Sequence, residues 1–351
     1  MAIITNIIIA IMYKIASLKT NLFIVFALTI ILFSRCSHDS NKIKLGFLYS
    51  SKITERYVKE SNFFKLKGEE LGATVYVDEA NNNESLQYNK ALELLDKDID
   101  VLCLIAVNTN TAAAIVRAAK QKDVKVIAYN RMIKSNDLDL YISGNNKKLG
   151  EDMCSAVLKH KPKGNYIILS GDKFDRNAVE LQQSIDSVLS PHIKSGDIKI
   201  IYKTYIEEWS GKNAEYELNQ FLAFSGEKPD VILAAYDGIA EGAIKALDKY
   251  NLTGKVLITG QDAELRALRH IIKGEQLMTV YHPLKTVASK AAEIAFNLAK
   301  NKMPNKSEIS YTNNGIINVP TIKINSIPVF KENIDDVLIN TGVYKSQEIY
   351  Q

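Results

Sequence analysis

Three short apolar runs in this chain have the pattern of buried parallel strands. The runs are Val124–Ala128, Val231–Ala235 and Val256–Ile258, and each is followed by a segment with helical periodicity. Continuous β-branched runs of this length are typical of strands buried on both faces of a sheet. Their repeated alternation with helices predicts an α/β fold built on parallel sheets.

Polar residues follow each of these runs. Asn130 and Arg131 follow the first run, Asp237 follows the second, and Gln261 with Asp262 follows the third. In open α/β sheets, ligands bind beyond the carboxyl ends of the strands, so these side chains are expected to meet. An arginine with carboxylates and carboxamides, in a chain without a glycine-rich phosphate loop, favours a neutral polyol as the ligand.

The alternation continues along most of the chain and predicts two sets of strands and helices. The predicted strands are Ile43–Tyr49, Thr74–Val77, Val101–Val107, Val124–Ala128, Tyr166–Ser170, Ile198–Tyr205, Val231–Ala235, Lys255–Ile258 and Leu277–Tyr281. The predicted helices are Thr54–Leu71, Glu84–Lys97, Thr111–Lys122, Lys148–Lys159, Asn177–Leu189, Lys212–Ser225, Ile239–Tyr250 and Ala263–Ile272. Two such sets predict two doubly wound parallel-sheet lobes with a cleft between them.

Residues 1–35 have the layout of an export signal. Two lysines precede the apolar run Leu22–Phe33, which is short for a membrane span, and a polar stretch follows Cys36. The cysteine at this junction resembles the lipid attachment site of bacterial lipoproteins. We therefore expect lipidation of Cys36, with residues 36–42 as anchor and linker; an uncleaved membrane anchor is the alternative. Met12 is an alternative start.

Composition and cysteine usage exclude several classes of protein. The hydrophobic content of 46% and charged content of 24% are typical of a globular protein. The net charge is +4 and three basic residues precede Cys36, so a nucleic-acid partner is not expected. Cys103 and Cys154 lie in apolar patterns and are expected to be unpaired thiols in different lobes. No Cys/His cluster has metal spacing, so neither metal nor cofactor is expected.

Seven motifs in order resemble the periplasmic D-xylose-binding proteins of ABC transporters. They are "ANNNE", "VIAYNRMI", "LYISGNNKKLGE", "EEWSGKNA", "ITGQDAEL", "MTVYHP" and "VPTIKINSIPVFKENIDD". The resemblance runs from about Lys42 to Tyr350 and implies the type I periplasmic-binding-protein fold, with two lobes joined by a three-crossing hinge. It implies that lobe one comprises residues 43–143 plus 283–312 and that lobe two comprises residues 144–282 plus 313–351.

The same resemblance implies a set of sugar contacts. They are Arg56, Tyr57, Asn130, Arg131, Asn177, Trp209, Asp237, Gln261 and His282, and Asn108 at the end of a predicted strand is a further candidate. Three positions depart from the family pattern, since Asn130 replaces an aspartate, Tyr236 an asparagine and His282 a lysine. With these replacements a pentose similar to xylose is the favoured ligand.

Several of these residues have a structural alternative. Asp237 is also placed to cap the following helix, and Asp262 has an equal claim as a helix cap, so Gln261 is the preferred contact of that pair. Tyr57 lies on a helix stripe with Phe64 and can be a packing residue. Arg131, Trp209 and His282 have alternatives as a surface charge, a core residue and a hinge residue, respectively.

The sequence therefore predicts a binding module. It is expected to be a monomeric, exported receptor, held by a lipid anchor on the periplasmic or cell-surface side, that binds a monosaccharide and delivers it to an ABC permease. The alternative is presentation of the closed form to a chemoreceptor or sensor kinase. An enzyme is not expected, because the first strand region "LGFLYSSK" lacks the G-x-G-x-x-G fingerprint of dinucleotide enzymes. A repressor would need a DNA-binding motif where residues 1–42 hold the export signal.

Overall fold

The computed structural model describes residues 42–52 and 55–351. Within this part, Ile43–Gln351 forms one compact unit. The export signal, Cys36 and the alternative start at Met12 lie outside the described residues. They stay predictions.

Strands and helices alternate along the described chain. The strands are β1 (Lys44–Tyr49), β2 (Thr74–Glu79), β3 (Val101–Leu104), β4 (Lys125–Tyr129), β5 (Leu140–Gly144), β6 (Gly164–Ser170), β7 (Ile198–Tyr205), β8 (Val231–Ala234), β9 (Leu257–Ile258), β10 (Met278–Tyr281), β11 (Ser310–Asn313), β12 (Asn318–Ile324) and β13 (Ile327–Phe330). The helices are α1 (Glu55–Glu70), α2 (Glu84–Leu95), α3 (Ala113–Gln121), α4 (Asn146–His160), α5 (Arg176–Lys194), α6 (Gly211–Ser225), α7 (Asp237–Asp248), α8 (Leu265–Lys273), α9 (Leu284–Ala299) and α10 (Ser346–Ile349).

The first lobe is built on a seven-stranded sheet with the order β11-β12-β5-β4-β3-β1-β2. Its neighbouring strands are parallel except for β11, which runs antiparallel to β12. Phe64 of α1 and Ala291 of α9 pack on one face of the sheet. Leu94 of α2 and Ile115 of α3 pack on the other face. Both faces are therefore covered, which explains why the central strands are apolar throughout.

The second lobe is built on a four-stranded parallel sheet with the order β7-β6-β8-β9. Met153 of α4 and Ile185 of α5 pack on one face. Leu218 of α6 and Ala243 of α7 pack on the other. The predicted pair of doubly wound lobes is thus confirmed.

The chain passes between the lobes at three places in its described part. The crossings lie between β5 and α4, between β10 and α9, and between β12 and β13. The third crossing is later than the predicted boundary after residue 312, because β12 pairs in parallel with β5, with Ile322 beside Ile142. Both isoleucines enter the first lobe's core, so apolar burial holds this strand at the sheet edge.

A second difference concerns β10, which was predicted as the last strand of the second parallel set. It instead pairs antiparallel with β13 in a separate two-stranded ribbon, with Val280 beside Pro328. The parallel sheet ends at the short strand β9.

Each lobe buries one free cysteine of the described chain. Cys103 of β3 and Cys154 of α4 are free and buried in different lobes, as predicted. Within residues 42–52 and 55–351, no helix is both long and apolar enough to cross a membrane.

Candidate functional site

Polar loops at the carboxyl ends of the strands bring the two lobes into contact. Asn130 follows β4 in the first lobe, and its backbone oxygen accepts a 3.2 Å hydrogen bond from Nδ2 of Asn177 on α5. Arg176 of the same helix donates through Nη1 to the backbone oxygen of Asn313, at 2.7 Å. These contacts join the edges of a cleft whose walls carry most of the predicted site residues.

The centre of this cleft holds four ionisable residues, which we call the cleft cluster: Arg56, Glu60, Asp262 and His282. Nη1 of Arg56 lies 3.5 Å from Oδ1 of Asp262 in the other lobe. Nε2 of His282, at the second lobe crossing, is also 3.5 Å from that oxygen. Glu60 pairs with the same arginine within the first lobe, where its Oε1 accepts hydrogen bonds from Nε and Nη2 of Arg56, both at 3.2 Å. Arg56 and His282 thus both lie close to the same carboxylate oxygen of Asp262.

Burial sets the charge states in this cluster. Burial acts against the charge of Arg56, but Glu60 and Asp262 outweigh it and raise the arginine's pKa. Burial raises the pKa of Glu60, and Arg56 opposes that change. Burial lowers the pKa of His282 to about 4, Arg56 adds to this effect, and Asp262 opposes it. The histidine is therefore neutral near pH 7.

Several buried polar atoms at the cleft have no hydrogen-bond partner among the described residues. They include Oδ1 of Asp262, Nε2 of His282 and Oε1 of Gln261. Arg56 and His282 each lie 3.5 Å from Oδ1 of Asp262, but neither contact has the geometry of a hydrogen bond. Buried polar groups are costly unless they are hydrogen-bonded, so these atoms are suited to a hydroxylated ligand that satisfies them.

A second polar group lies beside the cluster in the first lobe. Nδ2 of Asn130 donates to the hydroxyl of Tyr57 at 3.1 Å. Arg131 donates through Nη1 to the backbone oxygens of Ala106 and Val107, at 3.4 and 3.2 Å. The Tyr57 hydroxyl raises the pKa of Arg131 despite the arginine's burial. Arg131 is thus a fixed cation beside Tyr57 rather than a surface charge.

Tyr57 and Asn108 have structural contacts as well. Tyr57 is 5% exposed and packs in the first lobe's core, as its position on the helix stripe indicates. Its hydroxyl also accepts the hydrogen bond from Asn130. Oδ1 of Asn108 accepts from the backbone nitrogen of Asn110 at 2.9 Å, and its Nδ2 donates to Glu84 at 3.1 Å. Asn108 therefore organises the turn before α3.

Asp237 differs from the other predicted contacts because its carboxylate is already occupied inside the second lobe. It is 2% exposed. Its oxygens accept hydrogen bonds from Gln276 Nε2 at 3.1 Å, from the Thr279 hydroxyl at 2.8 and 2.9 Å, and from the Glu264 backbone nitrogen at 2.8 Å. It is the first residue of α7 rather than its cap, which is Tyr236. Its contacts tie the α7 start to β10.

Asp262 is the functional candidate that the sequence analysis ranked below its neighbour Gln261. The sequence favours Gln261 as the contact because Asp262 has an equal claim as a helix cap, but α8 begins at Leu265 with Glu264 as its cap. Asp262 has a φ of 93°, a conformation that non-glycine residues adopt rarely and that is common at functional sites. In this conformation its Oδ1 lies 3.5 Å from Nη1 of Arg56. The sequence signal was only its position after an apolar strand.

Two aromatic residues form a corner in the second lobe. The rings of Trp209 and Tyr236 meet nearly at right angles, with centroids 6.4 Å apart and an interplanar angle of 85°. The Tyr236 hydroxyl donates to Glu264 Oε1. Trp209 lies against Gly171, where an added Cβ would be 2.3 Å from the indole. The glycine therefore lets the indole approach the β6 loop closely.

The arrangement suits recognition of hydroxyl groups. Arginine and carboxylate side chains make charge-assisted hydrogen bonds, and aromatic faces cover apolar C–H surfaces. Among the described residues, no group of three or more His, Cys, Asp or Glu side chains is placed to hold a metal ion.

We predict that His282 makes the free energy of unfolding depend on pH. Its pKa is about 4 in the folded chain and near 6.5 when unfolded, so the unfolded chain binds a proton first as pH falls. Stability should therefore decline between about pH 6.5 and pH 4, by roughly 3 kcal/mol in total. Urea unfolding near pH 7 and near pH 4.5 should show a smaller decline for His282→Gln than for the wild type.

The matched control is His160→Gln, at the exposed end of α4. This variant should keep the wild-type decline. Equal pH dependence in the wild type and His282→Gln would show that His282 is not buried in its neutral form.

Comparison with known proteins gives consistent matches over most of the chain. A family model described as periplasmic binding protein domain matches residues 46–303. The chain is 38% identical over 328 residues to the D-xylose-binding periplasmic protein of Haemophilus influenzae, covering 93% of this chain and 97% of that relative. It is 36% identical over 321 residues to the D-xylose-binding periplasmic protein of Escherichia coli, covering 92% and 97%.

The fold comparison agrees with these matches. The structure of a carbohydrate transporter solute-binding protein from Chloroflexus aurantiacus, in complex with D-glucose, superposes with a TM-score of 0.78 at 24% identity, covering 88% of this chain and 98% of that one. These relatives are binding proteins, in agreement with the prediction that the chain is not an enzyme. The chain belongs to the periplasmic binding protein family.

Proposed function

We propose that this protein is an exported, periplasmic sugar receptor that closes on one monosaccharide, with a xylose-like pentose favoured, and delivers it to an ABC permease. The observation that carries the proposal is the cleft cluster, in which Arg56 of one lobe faces Asp262 of the other. The names of the relatives at 36–38% identity support the sugar class.

The cleft cluster offers hydrogen-bond donors and acceptors to the hydroxyl groups of a sugar. Asp262 Oδ1 and His282 Nε2 are buried and, within the described part of the chain, lack hydrogen-bond partners. Sugar hydroxyls both donate and accept, so one hydroxyl can donate to Asp262 while it accepts from Arg56. Hydrogen bonds to charged groups contribute about 1.5–3 kcal/mol each. Closure of the two lobes around the sugar would let Arg56, Asp262 and His282 contact the same ligand at the same time.

The three departures from the family pattern bear on which sugar binds. Asn130 and His282 are neutral where the pattern has an aspartate and a lysine, so the site loses one charge of each sign. Tyr236 is larger than asparagine, and its hydroxyl is already bound to Glu264. We infer that Tyr236 presents an apolar ring beside Trp209, which favours a ligand with a C–H edge there.

The direct test is sugar binding by the chain from Lys42 onward. Calorimetry with a panel of pentoses and hexoses should detect one bound monosaccharide, which chemical analysis should recover unaltered. Trp209 is the only tryptophan in the sequence, so its fluorescence reports on one place. The bound sugar should shift its emission and protect it from a soluble quencher.

Two results would contradict this proposal in different ways. If no sugar of the panel binds, the receptor function is wrong. If calorimetry detects a sugar while Trp209 emission and quenching stay constant, Trp209 is a packing residue outside the site.

The second test compares two aspartates that the structure distinguishes. Asp262→Asn should weaken sugar binding by about 1.5–3 kcal/mol, roughly ten- to a hundredfold, because it removes the charge that faces Arg56. Asp237→Asn should instead lower the free energy of unfolding by about 1–3 kcal/mol. The new amide nitrogen is a donor, and it would face hydrogen-bond donors at a position where a carboxylate oxygen accepts in the wild type. Calorimetry and urea unfolding of both variants provide the measurement.

The aspartate pair serves as its own control, because both variants remove one carboxylate and retain its shape. Loss of affinity in Asp237→Asn with full affinity in Asp262→Asn would reverse the assignment.

We further propose that Cys36 carries the lipid that anchors the receptor. Its place three residues after the end of the apolar run Leu22–Phe33 and before a polar linker supports this. In a bacterial host, Cys36→Ser should release the protein from the membrane fraction and reduce its mass by that of the lipid. Retention of the variant in the membrane at unchanged mass would point to an uncleaved anchor.

A further inference from the structure

Glu60 is a buried carboxylate that is not among the proposed sugar contacts. It lies one helical turn after Arg56 on α1 and is 0% exposed. Its neighbours Tyr129 and Cys103 belong to the first lobe's apolar core, and burial together with the charge of Glu60 raises the pKa of both. A carboxylate in such surroundings is costly unless it is paired and hydrogen-bonded.

The pairing of Glu60 with Arg56 is directional. One carboxylate oxygen, Oε1, accepts from both Nε and Nη2 of the guanidinium at 3.2 Å. Because the guanidinium is planar and rigid, fixing these two nitrogens also fixes the third. That third nitrogen, Nη1, is the one that lies 3.5 Å from Asp262 across the cleft.

We propose that Glu60 is a positioning residue for sugar binding: it holds the Arg56 guanidinium in the orientation in which Nη1 faces the cleft and Asp262. This inference rests on the proposed sugar-receptor function and extends it to a residue that does not itself reach the ligand. An unheld arginine side chain would have to lose its rotamer freedom each time the cleft closes, which weakens binding.

A structural role for Glu60 makes a different prediction from a positioning role. If Glu60 only stabilised the core, its replacement would lower affinity to a similar extent whether or not Arg56 were present. If it acts through Arg56, its replacement should matter only while Arg56 is there. A double-mutant cycle separates the two cases, since residues that act together give non-additive effects.

The experiment measures D-xylose affinity and thermal unfolding for Glu60→Gln, Arg56→Ala and the double variant. Glu60→Gln keeps the side-chain shape, and it should weaken binding roughly tenfold. The double variant should bind no more weakly than Arg56→Ala, within about twofold. Glu60→Asp retains the charge and should recover part of the affinity, and it serves if Glu60→Gln fails to fold.

The matched control is Asp152→Asn on α4. Asp152 also pairs with a cation four residues away on its own helix, Lys148, but it lies in the second lobe outside the cleft cluster. This variant should keep wild-type affinity.

A second readout does not depend on any sugar. In nuclear magnetic resonance spectra the Nε–H signal of Arg56, assigned by its loss in Arg56→Lys, should be sharp in the wild type and in Asp152→Asn. In Glu60→Gln it should broaden or disappear through exchange with water.

Two results would overturn the positioning role. They are wild-type affinity in a folded Glu60→Gln protein with its Arg56 signal retained, and additive losses in the cycle. A wild-type protein that binds neither D-xylose nor any other sugar of the panel would instead contradict the receptor function, and the Arg56 signal would still decide the role of Glu60.

Discussion

Parallel pairing of strands is the constraint on which this site depends. When strands run in the same direction, all the loops at their carboxyl ends lie along one edge of the sheet. In the first lobe this edge carries Asn130 and Arg131, and in the second it carries Asp262. The three crossings between the lobes turn the two edges toward each other. A cleft lined by polar side chains follows from strand direction before any single contact is considered.

The distribution of charge across the cleft is equally specific. Arg56 is shared between Glu60 in its own lobe and Asp262 in the other, while burial keeps His282 neutral. The arginine can therefore remain charged in a largely buried place, because each lobe supplies a carboxylate. Asp262 would gain a hydrogen-bonding hydroxyl on closure around a sugar, so the same group can bind ligand and join the lobes.

Asp237 and Asp262 show how one residue type takes two roles. Asp237 accepts hydrogen bonds from Gln276, Thr279 and a backbone nitrogen, and these contacts fix the start of α7 against β10. Asp262 has no such donors among the residues that the structure describes, and its positive φ turns it into the cleft. The first carboxylate is hydrogen-bonded within the second lobe, whereas Oδ1 of the second has no hydrogen-bond partner among the described residues.

Apolar periodicity is a local property, so the alternation of strands and helices could be predicted from the sequence. The strand Ile198–Tyr205 was predicted at its observed bounds, and Arg56 and His282 were placed at the site through family resemblance. Three features could be seen only in the folded protein: the Asp237 carboxylate is hydrogen-bonded within the second lobe while Asp262 lies near Arg56, β12 joins the first sheet, and Glu60 is buried where it pairs with Arg56. The positions of Asp262, Asp237 and β12 depend on pairings between segments far apart in the chain, namely α1 with the loop after β9, α7 with β10, and β12 with β5. Glu60 and Arg56 lie only four residues apart on α1, but their burial depends on how that helix packs. A local sequence pattern does not show which donors from distant segments will hydrogen-bond a given carboxylate, because those donors come close only in the folded chain.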